Sequence, residues 1–256
     1  MPTIDDNRAA WNDPVKWTTH GDEWSATWGG VVPQWYGTLL PRVRAFVPTG
    51  TILEIAPGHG RWTQFLRRLC QRLVLVDLSE TCIDACRKRF AGDLGIMFHV
   101  NDGRSLAAVA NGSVDFIFSF DSLVHAEADV MLAYLEQLAH KLTPHGIGFL
   151  HHSNLGSYVD PATGAVPATI DNSFWRATSV SAALVRAACK QFDLCCISQE
   201  LINWGPDTVL NDAITVVGLP SHRGAAATVI LENRDFMREA QTVANLARLY
   251  DAFGSR

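Results

Sequence analysis

The run Leu53-Glu54-Ile55-Ala56-Pro57-Gly58-His59-Gly60 constrains this chain more than any other feature. It closes a short apolar stretch, leads into a helix-like segment from Trp62 to Cys70, and is followed by a second apolar run, Leu73 to Val76, that ends in Asp77. Strand, glycine-rich turn, helix, strand and terminal acid, in that order, describe a βαβ unit able to hold a nucleoside. The glycines let the backbone approach a ligand closely. A carboxylate at the end of the second strand can accept hydrogen bonds from both ribose hydroxyls.

The spacing argues against a dinucleotide. A pyrophosphate-binding loop needs a third glycine three residues after the second, where helix and sheet pack closely. Here that position is Thr63, preceded by Arg61 and Trp62. Glu54 would repel a pyrophosphate but suits a cationic amino-acid ligand. No Gly-Lys-Ser/Thr follows, so a Walker-type loop is excluded as well.

The remaining pattern, Glu54-x-Ala56-x-Gly58-x-Gly60, resembles motif I of the class I S-adenosylmethionine-dependent methyltransferases, with Ala56 in place of the first glycine. Further stations follow in the order of that family. Asp77-Leu78-Ser79 stands where the ribose-binding acid belongs, and Asn101-Asp102-Gly103 follows a third apolar run, where the family places an acid near the adenine amine. Ser113 to Phe120 looks like a fourth strand ending at Asp121, and Leu142-Thr143-Pro144-His145-Gly146 looks like the turn before a fifth. The resemblance spans roughly residues 45–220. It implies an α/β fold: a Rossmann-like seven-stranded, mostly parallel sheet with helices on both faces and a C-terminal antiparallel hairpin. It also implies S-adenosylmethionine as cofactor, held by Glu54, Ala56, Gly58, Gly60, Trp62, Asp77, Leu78, Asp102, Gly103 and Phe120.

Composition narrows the class of partner. A net charge of −5 without a Lys/Arg cluster disfavours a nucleic-acid substrate. No apolar run approaches transmembrane length, and the opening residues, with Asp5, Asp6 and Arg8, lack a signal-peptide core. A cytoplasmic protein is expected, with no membrane association. Cys82 and Cys86, four apart, offer a metal pair in principle. In a reducing compartment they read as small buried hydrophobes, since no CxxC partner exists.

Residues 1–50 form an aromatic-rich arm containing Trp11, Trp17, Trp24, Trp28 and Trp35, read either as a cap over the cofactor or as packing on the sheet edge. Gln34 to Phe46 looks helical. Residues 51–220 form the cofactor-binding domain, and its alternating strands and helices imply a parallel sheet. Within it, residues 155–178 lack any period and follow the fifth strand, which suggests a substrate-recognition lid. Ser179 to Gln191 reads as a serine-capped helix. Phe192 to Asn203 and Asn211 to Gly218 read as strands joined through a Trp204–Asp207 turn. Residues 221–256 end in an amphipathic helix, with Phe236, Ala240, Val243, Ala247 and Tyr250 on one face. That face packs on the core or on a second subunit, so a homodimer is one of the open states.

Ligands of an open parallel sheet bind beyond the carboxyl ends of its strands. The fourth strand ends in Asp121-Ser122-Leu123-Val124-His125, the fifth in His151-His152-Ser153-Asn154. His151 and His152 should point to opposite faces. A neutral histidine is tuned to take a proton from a hydroxyl acceptor. His152, His125 and Asp121 are therefore the candidate catalytic residues. Asp121, His151 and His152 are candidate ligands for Mg²⁺, although a hard cation prefers more carboxylates. No base-amine or Pro-Cys motif appears. Phe120-Asp121-Ser122-Leu123-Val124-His125 and Phe149-Leu150-His151-His152-Ser153-Asn154 resemble bacterial sugar and glycan O-methyltransferases. The resemblance implies a small-molecule or oligosaccharide acceptor. Another small metabolite, or a non-catalytic cofactor-binding protein, remain alternatives.

Overall fold

Alternation along the central strands splits the core into two. Leu53, Ile55, Val74, Val76 and Ile117 enter one cluster, and Ile52, Leu73, Leu75, Phe116 and Phe118 enter the other. Side chains of period two on strands buried on both sides produce this division, and each face then needs its own helices. The computed structural model describes residues 2–206, 208–220 and 227–254, the side chains of 252–254 excepted.

The strands are β1 (Thr49–Ile55), β2 (Cys70–Asp77), β3 (Ile96–Val100), β4 (Val114–Ser119), β5 (Leu142–Ser153), β6 (Cys195–Ile202), β7 (Asp212–Gly218) and β8 (Val229–Asn233). The helices are α1 (Ile4–Asn12), α2 (Val31–Gln34), α3 (Leu40–Val43), α4 (Thr63–Leu66), α5 (Glu80–Arg89), α6 (Ala128–Lys141), α7 (Ala182–Gln191) and α8 (Phe236–Gly254). The sheet order is β3-β2-β1-β4-β5-β7-β6-β8. β7 runs antiparallel to both β5 and β6, while β1, β2, β3, β4 and β5 pair in parallel. This is the expected Rossmann-like sheet with its antiparallel hairpin, and order reverses between β1 and β4, which defines the switch point.

Several expected elements differ in extent. The sheet has eight strands among the described residues rather than seven, because Val229–Asn233 adds in parallel to β6. Its β-branched and aliphatic start, Val229-Ile230-Leu231, prefers a pleated edge to a helix. The expected helix after the glycine turn shrinks to Thr63–Leu66 plus a 3₁₀ turn, since β2 begins at Cys70. The expected turn at Leu142–Gly146 is a bulge within β5. Val114 pairs with Leu142 and Phe116 with Ile147, so two steps on β4 match five on β5. Gly146 is required there, as a Cβ would stand 2.7 Å from the Val114 carbonyl oxygen.

The cap of α7 is Ser181, whose hydroxyl accepts from the Leu184 N–H. In α8, Phe236, Ala240 and Ala244 are buried, whereas Tyr250, expected on the same face, is exposed. Asp207, counted in the expected turn, and residues 221–226, counted in the expected C-terminal region, lie outside the described residues.

The aromatic N-terminal residues divide by role. Trp28 and Trp35 are buried core residues, packed with Trp204, Phe236 and Phe65. Trp11, Trp17 and Trp24 form a separate cluster. α1 opens with a capping box, Thr3 and Asp6 bonding each other's backbone N–H. Its far end is tied to α5 by the Ser79 hydroxyl, which donates to Asn12 Oδ1 at 2.6 Å. No helix of the described residues is long and apolar enough to cross a membrane.

Candidate functional site

The carboxyl ends of β1, β2 and β4 meet at a cleft. Its floor is Ala56, Pro57, Gly58, Asp77, Leu78 and Phe120, and α1 with the Trp11–Trp17–Trp24 cluster walls its other side.

The turn after β1 is shaped by backbone conformation. Ala56 and Gly58 both have positive φ, 56° and 57°. Ala56 extends the β1–β2 pairing through its N–H to the Val76 carbonyl, then turns the chain toward the cleft. Gly58 admits no side chain, because a Cβ would lie 2.5 Å from the Trp17 ring. Its N–H donates to Asp77 Oδ2 at 3.1 Å, and Ser79 N–H donates to Oδ1 at 2.9 Å. Burial raises the Asp77 carboxyl to about 6, with these backbone N–H groups pulling the other way.

Seven of the ten expected cofactor residues line the cleft: Ala56, Gly58, Trp62, Asp77, Leu78, Gly103 and Phe120. The other three do not line it. Glu54 points to the opposite face of β1, where its Oε2 accepts from the Thr63 hydroxyl at 2.6 Å. Burial pushes its carboxyl up to about 8, and its buried Oε1 has no partner among the described residues. Gly60 makes room for α5, its missing Cβ being 2.6 Å from the Phe90 ring. The Asp102 carboxylate is exposed and accepts from the N–H groups of Arg104 and Ser105. This local turn occupies it, and Gly103 takes the place in the wall.

The candidate catalytic residues separate in the same way. His125 lines the cleft. Its Nδ1 lies 3.0 Å from the Trp175 carbonyl oxygen, so Nδ1 carries the proton and donates. Nε2 then bears the lone pair and has no bond to any described residue. Burial lowers the His125 pKa below the ordinary imidazole value, partly countered by the Trp175 carbonyl.

Asp121 also lines the cleft, with a positive φ of 60°. Its carboxylate receives Arg61 Nη2 at 2.7 Å, and its N–H donates to His151 Nδ1 at 3.0 Å. Since Nδ1 accepts, a neutral His151 bears its proton on Nε2, which faces Asp212 Oδ2 at 3.1 Å. Asp212 in turn receives Arg176 Nε at 2.7 Å. Burial opposes its charge, but Arg176 and His151 hold the Asp212 carboxyl at about 2.

His152 is the main correction. As alternation requires, it points away from His151. It is fully buried, its Nδ1 donates to the Ser153 carbonyl at 2.8 Å, and its Nε2 meets the Thr215 hydroxyl at 2.7 Å. Both nitrogens are committed, and it does not line the cleft.

The Mg²⁺ expectation fails on the same geometry. Arg61 occupies the Asp121 carboxylate, His151 has both nitrogens bonded, and His152 lies on the other face. No group of three or more His, Cys, Asp or Glu among the described residues could hold a metal. Cys82 and Cys86 are buried free thiols whose pKa values burial raises far above the ordinary range.

Sequence reasoning overlooked Arg61 as a site residue, together with Tyr134, Ile4 and Asn7 of the wall and the Asp212–Arg176 pair. The Thr3-x-x-Asp6 pattern, not singled out in the sequence, is the local signal that could have marked a helix in the arm. Nothing local signalled where that helix would lie. Residues 155–178, expected as a lid, do not line this cleft.

The matches with known proteins agree with this architecture. A family described as "Methyltransferase domain" matches residues 52–146. The methyltransferase nsrG of Aspergillus novofumigatus is 27% identical over 96 residues, which are 37% of this chain and 36% of that protein. The chain thus spans little more than a third of that relative's length. Among solved structures, the DhpI–SAH complex superposes with a TM-score of 0.56 at 18% identity, covering 88% of this chain and 98% of that one. The PH0226 protein of Pyrococcus horikoshii OT3 reaches 0.57 at 17% identity, over 81% and 96% of the two chains. The CcbJ methyltransferase of Streptomyces caelestis reaches 0.55 at 14% identity, over 73% and 95%. With residues 52–146 matching a methyltransferase domain, and 88% and 73% of the chain covered by the DhpI–SAH complex and the CcbJ methyltransferase, the chain has the class I S-adenosylmethionine-dependent methyltransferase fold.

Proposed function

We propose that this protein is an S-adenosylmethionine-dependent O-methyltransferase acting on a hydroxyl of a saccharide or glycan precursor, with His125 as general base. The observation that carries the reading is His125 itself: a neutral imidazole with one nitrogen fixed on Trp175 and the other unbonded in a cleft at the sheet's switch point.

The cleft fits the cofactor. Asp77 stands where ribose hydroxyls would be held, and Leu78 and Gly103 where adenine would lie. The buried Arg61 has a Nη1 without a protein partner, suited to the methionyl carboxylate. When bound, the cofactor supplies a methyl group already activated on a sulfonium. The chain's own tasks are then to align the acceptor, exclude water and take its proton. Trp11, Trp17 and Trp24 exclude water. His125 Nε2 receives the hydroxyl proton, and burial keeps that nitrogen unprotonated at neutral pH. Asp121 fixes Arg61. Trp175, its ring 5.8 Å from that of His125, offers a face on which a sugar can stack.

The aromatic wall supports a second reading, a small planar metabolite as acceptor. Calorimetry with S-adenosylhomocysteine, followed by methyl transfer to a panel of saccharides and phenols, tests both. No binding removes every methyltransferase reading. Binding with transfer only to phenols removes the saccharide. Binding without any transfer favours a non-catalytic role. Light scattering decides whether the protein is a homodimer.

A further inference from the structure

The two polar groups at the acceptor end of the cleft, His125 and Asp121, come from one loop after β4, yet neither is held by it alone. Both are held by adjacent residues from the end of the long segment after β5. The Trp175 carbonyl takes the His125 Nδ1–H at 3.0 Å. The buried Arg176 guanidinium takes Asp212 through Nε at 2.7 and 2.9 Å, Asp212 takes His151 Nε2, and His151 Nδ1 takes the Asp121 N–H.

The pair is itself fixed in place. Trp175 adopts a positive φ of 56°, which a non-glycine residue keeps only where its surroundings impose it. Asn172 imposes it: its Oδ1 accepts from Arg176 N–H at 2.7 Å, its Nδ2 donates to the Arg176 carbonyl at 3.0 Å, and its own carbonyl accepts from Trp175 N–H. Next along the chain, Ala177 N–H donates to the Val124 carbonyl, and the Ala177 carbonyl accepts from Ser153. The segment is therefore sewn to the loop after β4 on one side and to the end of β5 on the other.

We propose that Trp175 and Arg176 are positioning residues, Trp175 setting the tautomer of His125 through its carbonyl and Arg176 setting Asp121 through Asp212 and His151. The proposal rests on the reading of His125 and Asp121 as acceptor-site groups. It gives the end of the 155–178 segment a task other than that of a lid. Without the Trp175 carbonyl, His125 is free to place its proton on Nε2, and the lone pair needed in the cleft is gone. Without Arg176, Asp212 loses its charge partner, and the acceptor at His151 Nδ1 that holds the Asp121 N–H is no longer assured.

Long-range proton–nitrogen spectra of nitrogen-15-histidine protein near neutral pH read this directly, with His125→Gln and His151→Gln assigning the signals. Wild type should show His125 protonated on Nδ1 and His151 on Nε2. Asn172→Ala lies outside the cleft and should leave S-adenosylhomocysteine affinity within about two-fold while lowering the His125 tautomer ratio roughly five- to ten-fold, the worth of about one hydrogen bond. Arg176→Met should blur the His151 signal in the same way, and Arg176→Lys should restore it in part. If Arg176→Met does not fold, Arg176→Lys and Asn172→Ala decide. A wild-type His125 protonated on Nε2 overturns the proposal, as do unchanged tautomers in all the variants with S-adenosylhomocysteine still bound. If wild type binds no S-adenosylhomocysteine, the methyltransferase reading fails, and with it the reaction this positioning serves.

Discussion

Arg61 and Asp121, sixty positions apart, meet at 2.7 Å beside the cleft. The guanidinium lies over the rings of Trp62 at 4.6 Å and Trp24 at 5.5 Å, and Asp121 is held from behind by His151. The glycine-rich turn after β1 and the loop after β4 are thereby joined by one ion pair that water barely reaches.

Breaking that pair leaves a buried charge alone, which typically costs about 3–5 kcal/mol. Arg61→Met should therefore lower stability by roughly 3 kcal/mol in urea unfolding. Arg61→Met with Asp121→Asn should cost less than the sum of the two single changes. Additive costs would show that the pair is not coupled.

His125 and His152 should separate in kinetics. His125→Gln is expected to lower kcat by about 10²- to 10⁴-fold with S-adenosylhomocysteine affinity retained. His152→Leu should cost about 1–3 kcal/mol of stability by removing the His152 partner of the buried Thr215 hydroxyl, which keeps its bond from Gln199, and leave kcat largely intact. Burial holds the His125 pKa below 6.5. The proposed base is thus neutral above that pH, and the acid limb of the rate should fall below pH 6.5. A limb well above it would exclude His125.

Glu54 makes stability depend on pH. Its carboxyl moves from 4.5 to about 8 on folding, mainly through burial. The contribution is complete below pH 4.5 and is lost as pH rises toward 8. Glu54→Gln stays neutral throughout. It should match wild type near pH 5 and exceed it near pH 8 by on the order of 2–4 kcal/mol. Thermal melts at the two pH values check this; a difference that does not grow with pH would count against it.

Ala56 holds a left-handed backbone where glycine would be relaxed. That conformation costs an L-residue about 1–2 kcal/mol, and glycine returns about 0.4–1 kcal/mol through the freedom of the unfolded chain. Ala56→Gly should raise stability by up to about 1 kcal/mol and leave S-adenosylhomocysteine binding intact. A clear loss of stability would mean the alanine methyl packs usefully.

Much of the nucleoside end was legible because its determinants are local. The turn needs positive φ at fixed places, the acid must end β2, and alternation must bury both faces; each leaves a mark within a few residues. Glu54, Gly60 and Asp102 do not line the cleft, because such a motif reports chain position and not the direction of a side chain. Glu54 and Gly60 serve the packing of helices behind the turn, and Asp102 closes its own loop. His152 was the opposite error. Its chemistry suits a base, but the pleat and the partners Ser153 and Thr215 commit it to the far side of the sheet.

By itself the sequence determined the order of the strands from β1 to β7, the parallel sheet, the glycine turn and the acid at Asp77, since these follow from short-range sterics and periodicity. Only the tertiary structure decided which histidine faces the cleft, which tryptophans wall it, and that Arg61 meets Asp121 while Arg176 meets Asp212. Those pairings join residues about thirty to sixty positions apart. They form because a buried charge must find its counter-charge once folding has removed water, and no local pattern records where that partner will be.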